Sequence, residues 1–248
     1  MSDSGAPASP EAPFRKKTVS FVRRSGRMSD AQERAYADLA DTYLLDIPRD
    51  VASMSVHPDA QFIPAAAYGR EAPLTVEIGS GQGHAIVHAA QENPDADFLA
   101  VEVFRAGLAR TMLDADKAGV TNLRLAEANA PEVLAKLLPP ASVAEVWVFF
   151  PDPWHKVRHN KRRLIQPEFT PVIAAALRDG GVLRMATDWE EYALQMRDVL
   201  DASDQFERAF AGEWAERFDG RVLTAFERKG QRAGRDIRDL TYRRRPRA

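Results

Sequence analysis

The chain has 248 residues, 45% hydrophobic and 28% charged, with a formal charge of −2 and no cysteine. That composition suits a globular protein with a full core and excludes disulfides and thiolate chemistry. No apolar run approaches the ~20 residues that span a bilayer, and "MSDSGAPASPEAP" lacks the basic start and apolar core of a signal peptide. The expectation is a cytoplasmic chain with no membrane segment.

The near-neutral total is unevenly laid out. Arg15, Lys16, Lys17, Arg23, Arg24 and Arg27 form one basic block, and Lys156, Arg158, Lys161, Arg162 and Arg163 form a second. A third occupies 228–247, where Asp236 and Asp239 are the only acids. One such block is ordinarily a solvated face, but three point to a polyanionic partner.

In chain order, residues 1–14, rich in Ala, Pro and Ser, are expected to be a disordered tail. Residues 15–45 read as a basic arm leading into a helix, with Ser29 as its N-cap and Asp30 and Glu33 in the first turn. From Asp46 to Pro73 there are four prolines and little periodicity, so an irregular stretch is expected. Short apolar runs then alternate with amphipathic ones. "LTVEI" (74–78), "DFLAVE" (97–102), "NLRLAE" (122–127), "AEVWVFF" (144–150) and "GVLRMAT" (181–187) read as strands. Helices are expected from near His84, Arg105, Pro131 and Pro167, the prolines in first-turn positions, and over 189–201. Weaker strands at 205–210 and 238–244 complete the set. This alternation predicts an α/β fold with a Rossmann-like open sheet of about seven strands, mostly parallel with one antiparallel, and helices on both faces. No internal repeat or second core is evident, so one folded domain over 46–248 is expected.

Two loops carry chemistry. "VEIGSGQG" ends the first strand and places Glu77 ahead of Gly79, Gly81 and Gly83, where a backbone can turn sharply and approach a ligand. A dinucleotide fingerprint needs glycine at 84, and this chain has His84. Glu77 suits a ligand with a cationic amine. Glu102 ends the second strand where an acid accepts hydrogen bonds from ribose hydroxyls, which a nicotinamide dinucleotide also predicts. Asn129 follows the third strand, either beside a nucleobase or as a cap ahead of Pro131. In "FFPDPWHKVRHNKRR" (149–163), Asp152 stands between two prolines that restrict its backbone, Trp154 offers a flat apolar face, and the basic run follows. A rigid structural loop is the plainer alternative. His84 and His88 have a spacing that can bind zinc, but with no acid of the HExxH kind and no cysteine a packing role is expected, and no metal. His155 and His159 read as facing the polyanionic partner or as structural.

The glycine turn resembles the first motif of class I S-adenosylmethionine-dependent methyltransferases. "FFPDPWHKVRHNKRR" resembles the signature of tRNA (guanine-N7-)-methyltransferases, and "SFVRRSGRMSDAQ", "GGVLRMATDWEEYA" and "TAFERKGQRAGRDIRDLTYRR" are similar to other blocks of that family in the same order. The resemblance runs from about Ser20 to the C-terminus. It implies S-adenosyl-L-methionine as cofactor and a guanosine of the tRNA variable loop as substrate, with no obligate protein partner evident. It implies cofactor contacts at Glu77, Gly79, Gly81, Gly83, Glu102, Asn129 and Asp152, and a catalytic role for Asp152. Substrate contacts are implied at Lys156, Arg158, Lys161, Arg162, Asp188, Thr224, Ala225, Phe226 and Glu227. Many members carry Asp where this chain has Asn129; the amide still offers an acceptor oxygen. Alternatives are a methyltransferase acting on a base amino group, an RNA-binding protein without turnover, and an NAD-dependent oxidoreductase. The absence of consecutive prolines in Asp152-Pro153-Trp154 disfavours the first, and His84 with the arginine-rich blocks the last.

Overall fold

The computed structural model describes residues 28–50, 52 and 54–247. The expected tail at 1–14 and the basic stretch at 15–27 lie outside the described residues. Helix α1 (Asp30–Tyr43) begins at the expected cap: the Ser29 hydroxyl accepts the Gln32 N–H, and the Gln32 side-chain oxygen accepts the Ser29 N–H. The proline-rich stretch contains a short helix, α2 (Pro64–Tyr68), opened by its proline and ended by Gly69 in the left-handed region.

Strand and helix then alternate as β1 (Leu74–Ile78), α3 (His84–Glu92), β2 (Asp97–Glu102), α4 (Arg105–Ala118) and β3 (Leu123–Glu127). Helix α5 (Ala130–Glu132) has Pro131 in its first turn and continues as a π-helical turn (Val133–Leu137), which the Leu138 N–H closes on the Val133 carbonyl. Next come β4 (Val143–Phe149), a 3₁₀ segment (Val157–Arg162), α6 (Thr170–Ala176) and β5 (Leu177–Thr187). The chain ends with α7 (Glu190–Asp201), β6 (Phe206–Arg208), α8 (Ala225–Arg232) and β7 (Arg238–Arg244). Two starts lie three or more residues from the expected ones. The helix expected from Pro167 begins at Thr170, with Pro171 in the first-turn position, and β5 begins at Leu177 rather than Gly181.

Among the described residues, seven strands form one sheet in the order β3-β2-β1-β4-β5-β7-β6. Strands β1 to β5 run parallel, while β7 runs against both β5 and β6. Every residue of β1 is buried, as a central strand covered on both faces requires. One face packs on the π-helical turn, α6 and α7 through Leu137, Ile173, Tyr192 and Met196. The other packs on α3 and α4 through Ile86, Leu108 and Met112.

The chain lays β2 and β3 on one side of β1, then returns to place β4 on the other. Connections leave β1 and β4 in opposite directions, which opens a crevice beyond their carboxyl ends. The glycine turn follows β1, and the Pro-Asp-Pro-Trp loop follows β4. Two segments over sixty residues apart in sequence, at about 80 and 152, therefore share one edge of the sheet.

Candidate active site

Gly79, Gly81 and Gly83 have φ values of 72°, 58° and 74°, a region that side-chain-bearing residues rarely adopt. Helix α4 packs directly on this turn. A Cβ on Gly83 would lie 2.4 Å from the Thr111 side chain, and one on Gly107 would lie 2.2 Å from the Gly81 carbonyl oxygen. Glu102 ties the turn to β2: its Oε2 accepts the Gly81 N–H at 2.8 Å, and its Oε1 accepts those of Val103 and Phe104 at 2.7 and 2.9 Å. The carboxylate is thus a scaffold for the turn as well as an acceptor at its rim.

Glu77 is 5% exposed. Its Oε2 and the Ser80 Oγ are buried without hydrogen-bond partners. Burial first, and the neighbouring charge of Glu102 second, push the Glu77 pKa up to about 8, against a backbone hydrogen bond from Ile86. A buried acid of this kind fits a cationic amine, which would supply the missing partner. Asn129, also 5% exposed, stands at the N-cap of α5 without capping it. Its side chain hydrogen-bonds Glu132 instead, and its N–H donates to the Met54 carbonyl at 2.8 Å. Beside it at the end of β3, Glu127 is paired with Arg105 at 3.1 Å and accepts the Tyr36 hydroxyl of α1. These donors and acceptors suit a nucleoside carrying an amine.

After β4 the Phe150 N–H still reaches the Ala186 carbonyl of β5 at 2.7 Å. The chain then bends hard. Phe150 and Trp154 have φ values of 52° and 46°, each costing on the order of 1–3 kcal/mol for a bulky residue. Asp152 lies between them, flanked by its prolines, and is exposed. The Arg162 guanidinium sits 5.0 Å from the Trp154 ring centre, and His159 meets the same ring edge-on at 5.9 Å. His155 packs on Trp189 with ring centres 4.1 Å apart.

The five cations of the run do not share one role. Lys156, Arg158, Lys161 and Arg162 are exposed. Arg163 is 3% exposed and turned inward, with its Nε donating to the Pro153 carbonyl at 2.8 Å. Arg163, which the sequence places in the same basic block, is set apart from it by burial.

The C-terminal residues assemble a frame rather than an open surface. Asp188 pairs with Arg235 at 2.7 Å and packs on Gly230. Thr224 caps α8 by accepting the Glu227 N–H at 3.1 Å, and Ala225 and Phe226 open that helix. Glu227 is 1% exposed and accepts from Arg221 at 2.6 Å and Arg217 at 3.1 Å. Arg221 is fully buried, donates also to Asp239 at 2.8 Å, and lies 5.5 Å from the Phe150 ring centre. The structure therefore brings Glu77, the three glycines, Glu102, Asn129 and Asp152 to one sheet edge, while Glu227 acts from inside. Sequence reasoning passed over Gly107 and Arg221, and read Arg163 only as one cation of a basic block. Gly107 alone carried a signal, as a glycine inside an amphipathic helix.

Among the described residues, no helix is long and apolar enough to cross a membrane, and no group of three or more His, Cys, Asp or Glu could hold a metal ion. Residues 71–240 match a family model described as a putative methyltransferase. A tRNA (guanine-N(7)-)-methyltransferase of Paenarthrobacter aurescens (strain TC1) is 47% identical, covering 92% of this chain and 92% of its own. One of Methylococcus capsulatus is 41% identical, covering 92% and 95%. The crystal structure of the antibiotic-resistance methyltransferase Kmr aligns with a TM-score of 0.52 at 16% identity, over 82% of this chain and 99% of that one. The open sheet with its glycine turn is thus that of a Rossmann-like methyltransferase. Within that class, the chain belongs to the tRNA (guanine-N(7)-)-methyltransferase family.

Proposed function

We propose that this chain, acting in the cytoplasm, methylates N7 of a variable-loop guanosine in tRNA, with S-adenosyl-L-methionine as donor. One observation carries the reading. At a single sheet reversal, an acid-lined glycine turn shares the sheet edge with an exposed, proline-flanked acid trailed by four exposed cations, in a chain of this family.

When bound, the cofactor supplies a methyl group on a positively charged sulfur. Glu77 would pair with its amino group, Glu102 with the ribose hydroxyls, and Asn129 would stand beside the adenine. Guanine N7 has a free lone pair and no proton, so the chain need not supply a strong base. Orientation can lower such a barrier by ~7–11 kcal/mol when the reacting atoms are held in line. Asp152 orients the guanine through its donor edge and offsets the positive charge that grows on the ring. Its prolines restrict the backbone that carries the carboxylate. Lys156, Arg158, Lys161 and Arg162 hold phosphates, contacts that position the RNA rather than read its sequence. Asp188 and the Thr224, Ala225, Phe226 and Glu227 turn frame the substrate side, and residues 46–248 work as one catalytic domain.

The test uses methyl-labelled cofactor with bulk tRNA, followed by digestion to nucleosides. Label is expected in 7-methylguanosine, and transcripts made with 7-deazaguanosine should receive none. Label on an exocyclic nitrogen, or its persistence in the deaza transcripts, overturns the reading.

A further inference from the structure

Arg163 closes the basic run in sequence yet turns its back on solvent. We infer that Arg163 is a positioning residue for Asp152, gripping the Pro153 carbonyl and referring the loop to helix α7; this rests on the role proposed above for Asp152.

The geometry of its three bonds carries the inference. Nε donates to the Pro153 carbonyl at 2.8 Å, Nη1 to Gln195 Oε1 at 2.7 Å and Nη2 to Glu191 Oε1 at 3.2 Å. The guanidinium also lies 5.0 Å from the Tyr192 ring centre. Glu191, Tyr192 and Gln195 belong to successive turns of α7, whose Tyr192 and Met196 are buried in the core. One end of Arg163 is therefore fixed on a packed element, and the other holds the peptide plane between Pro153 and Trp154. Proline fixes its own φ, so holding that plane leaves the preceding Asp152 few ways to move. Trp154, on the far side of the plane, has a φ of 46°, and such a conformation persists only when its surroundings impose it.

Two plainer roles fit less well. A phosphate contact requires an accessible guanidinium, and this one is 3% exposed. A mere space-filler would not be an arginine, since burying a guanidinium is costly unless its planar fork of donors is used. The neighbouring Asn160 repeats the arrangement, donating to Glu191 at 3.1 Å.

The experiment compares Arg163→Met, Arg163→Lys, Gln195→Leu and Asp152→Ala in the full chain, with kcat, KM for tRNA and the salt dependence of tRNA binding measured for each. A displacement of about 1 Å at a reacting group can cost ~10²-fold, and Arg163→Met is expected to lose about that much in kcat. Its KM and salt slope should stay near wild type. Arg163→Lys reaches the carbonyl but cannot fork, so it should recover part of the loss. Gln195→Leu, which removes the Nη1 anchor together with the Gln195 bond to the Ile165 carbonyl, should lower kcat several-fold with tRNA binding unchanged. Because both residues act through one carboxylate, Arg163→Met with Asp152→Ala should be no slower than Asp152→Ala alone. Loss of tRNA affinity with a slope shallower by about 0.7–0.9 would make Arg163 a phosphate contact instead. Unchanged kcat, or additive losses in the double variant, would equally overturn the inference. If Arg163→Met does not fold, the lysine and Gln195 variants decide on the same criteria. Wild-type turnover in Asp152→Ala would remove the reading of Asp152 itself; a slow Asp152→Ala beside normal Arg163 and Gln195 variants would remove only this inference.

Discussion

Glu77 holds its proton because burial and Glu102 both oppose a second negative charge at the turn, which raises its pKa from 4.5 to about 8. The sign of the consequence follows from proton counting. Between about pH 4.5 and 8 the unfolded chain has released this proton while the folded chain keeps it. Stability of the ligand-free protein should therefore fall as pH rises through that window, by up to ~1.4 kcal/mol per pH unit from this group. Melting temperatures taken across the window should show the decline in wild type and a flatter profile in Glu77→Gln; equal slopes would contradict the assignment. A cationic amine favours the ionised carboxylate, so S-adenosylmethionine should bind more tightly toward pH 8, with proton release. Titration calorimetry in buffers of different ionisation enthalpy measures that release directly. Asp152, by contrast with the buried Glu77, is exposed and reachable by a base. Asp152→Ala should lower turnover by ~10²-fold or more while tRNA affinity changes little, since only interactions made in the transition state affect the chemical step alone. Comparable losses in both would contradict its role.

The 3₁₀ segment Val157–Arg162 shows what a residue count conceals. Its outward cations, with Lys156, should each contribute to the salt dependence of tRNA binding, roughly −0.7 to −0.9 in log–log slope per phosphate contacted. Replacing Lys156, Arg158, Lys161 and Arg162 by Ala together should flatten that slope and weaken binding to all tRNAs alike; a slope unchanged by the quadruple substitution would place the RNA elsewhere. The strands were legible because buried parallel strands are nearly continuous apolar runs, as in "LTVEI". Helix α1 was legible through its cap, and β7 nearly to the residue. What stayed hidden depends on contacts distant in sequence. Nothing in "HNKRR" separates Arg163 from Arg162; its partners Glu191 and Gln195 lie about thirty residues on. Pro167 and Pro171 both suit a first turn, and only the packing of Thr170 and Ile173 selects the second. Helix α2 is five residues long, too short for periodicity to register amid four prolines. Glu77, the glycine turn and Asp152 were found because each sits where a strand ends, a place the alternation itself fixes.

At the scale of the molecule, the antiparallel strand β7 extends the sheet past β5, and it and helix α8 are joined to the site by Arg221. That arginine is fully buried, pairs with Glu227 of α8 and Asp239 of β7, and lies against the rings of Phe149 and Phe150 where β4 bends toward Asp152. One cation thus holds three segments that are remote along the chain. Desolvating three charges offsets most of their attraction, so the cluster contributes modestly to stability as a whole, yet removing Arg221 leaves Asp239 buried and unpaired and Glu227 with Arg217 alone. Arg221→Met should destabilise the fold by ~3–5 kcal/mol, read as a lower urea midpoint at unchanged m-value. Combining it with Glu227→Gln and Asp239→Asn removes the stranded charges and should restore much of that loss. Turnover should not recover with it, because the neutral trio no longer presses a guanidinium on Phe150. A single variant as stable as wild type, or a trio less stable than Arg221→Met alone, would show that these groups do not form one electrostatic unit; a trio with full turnover would show that the C-terminal strand and the Asp152 loop are not mechanically joined.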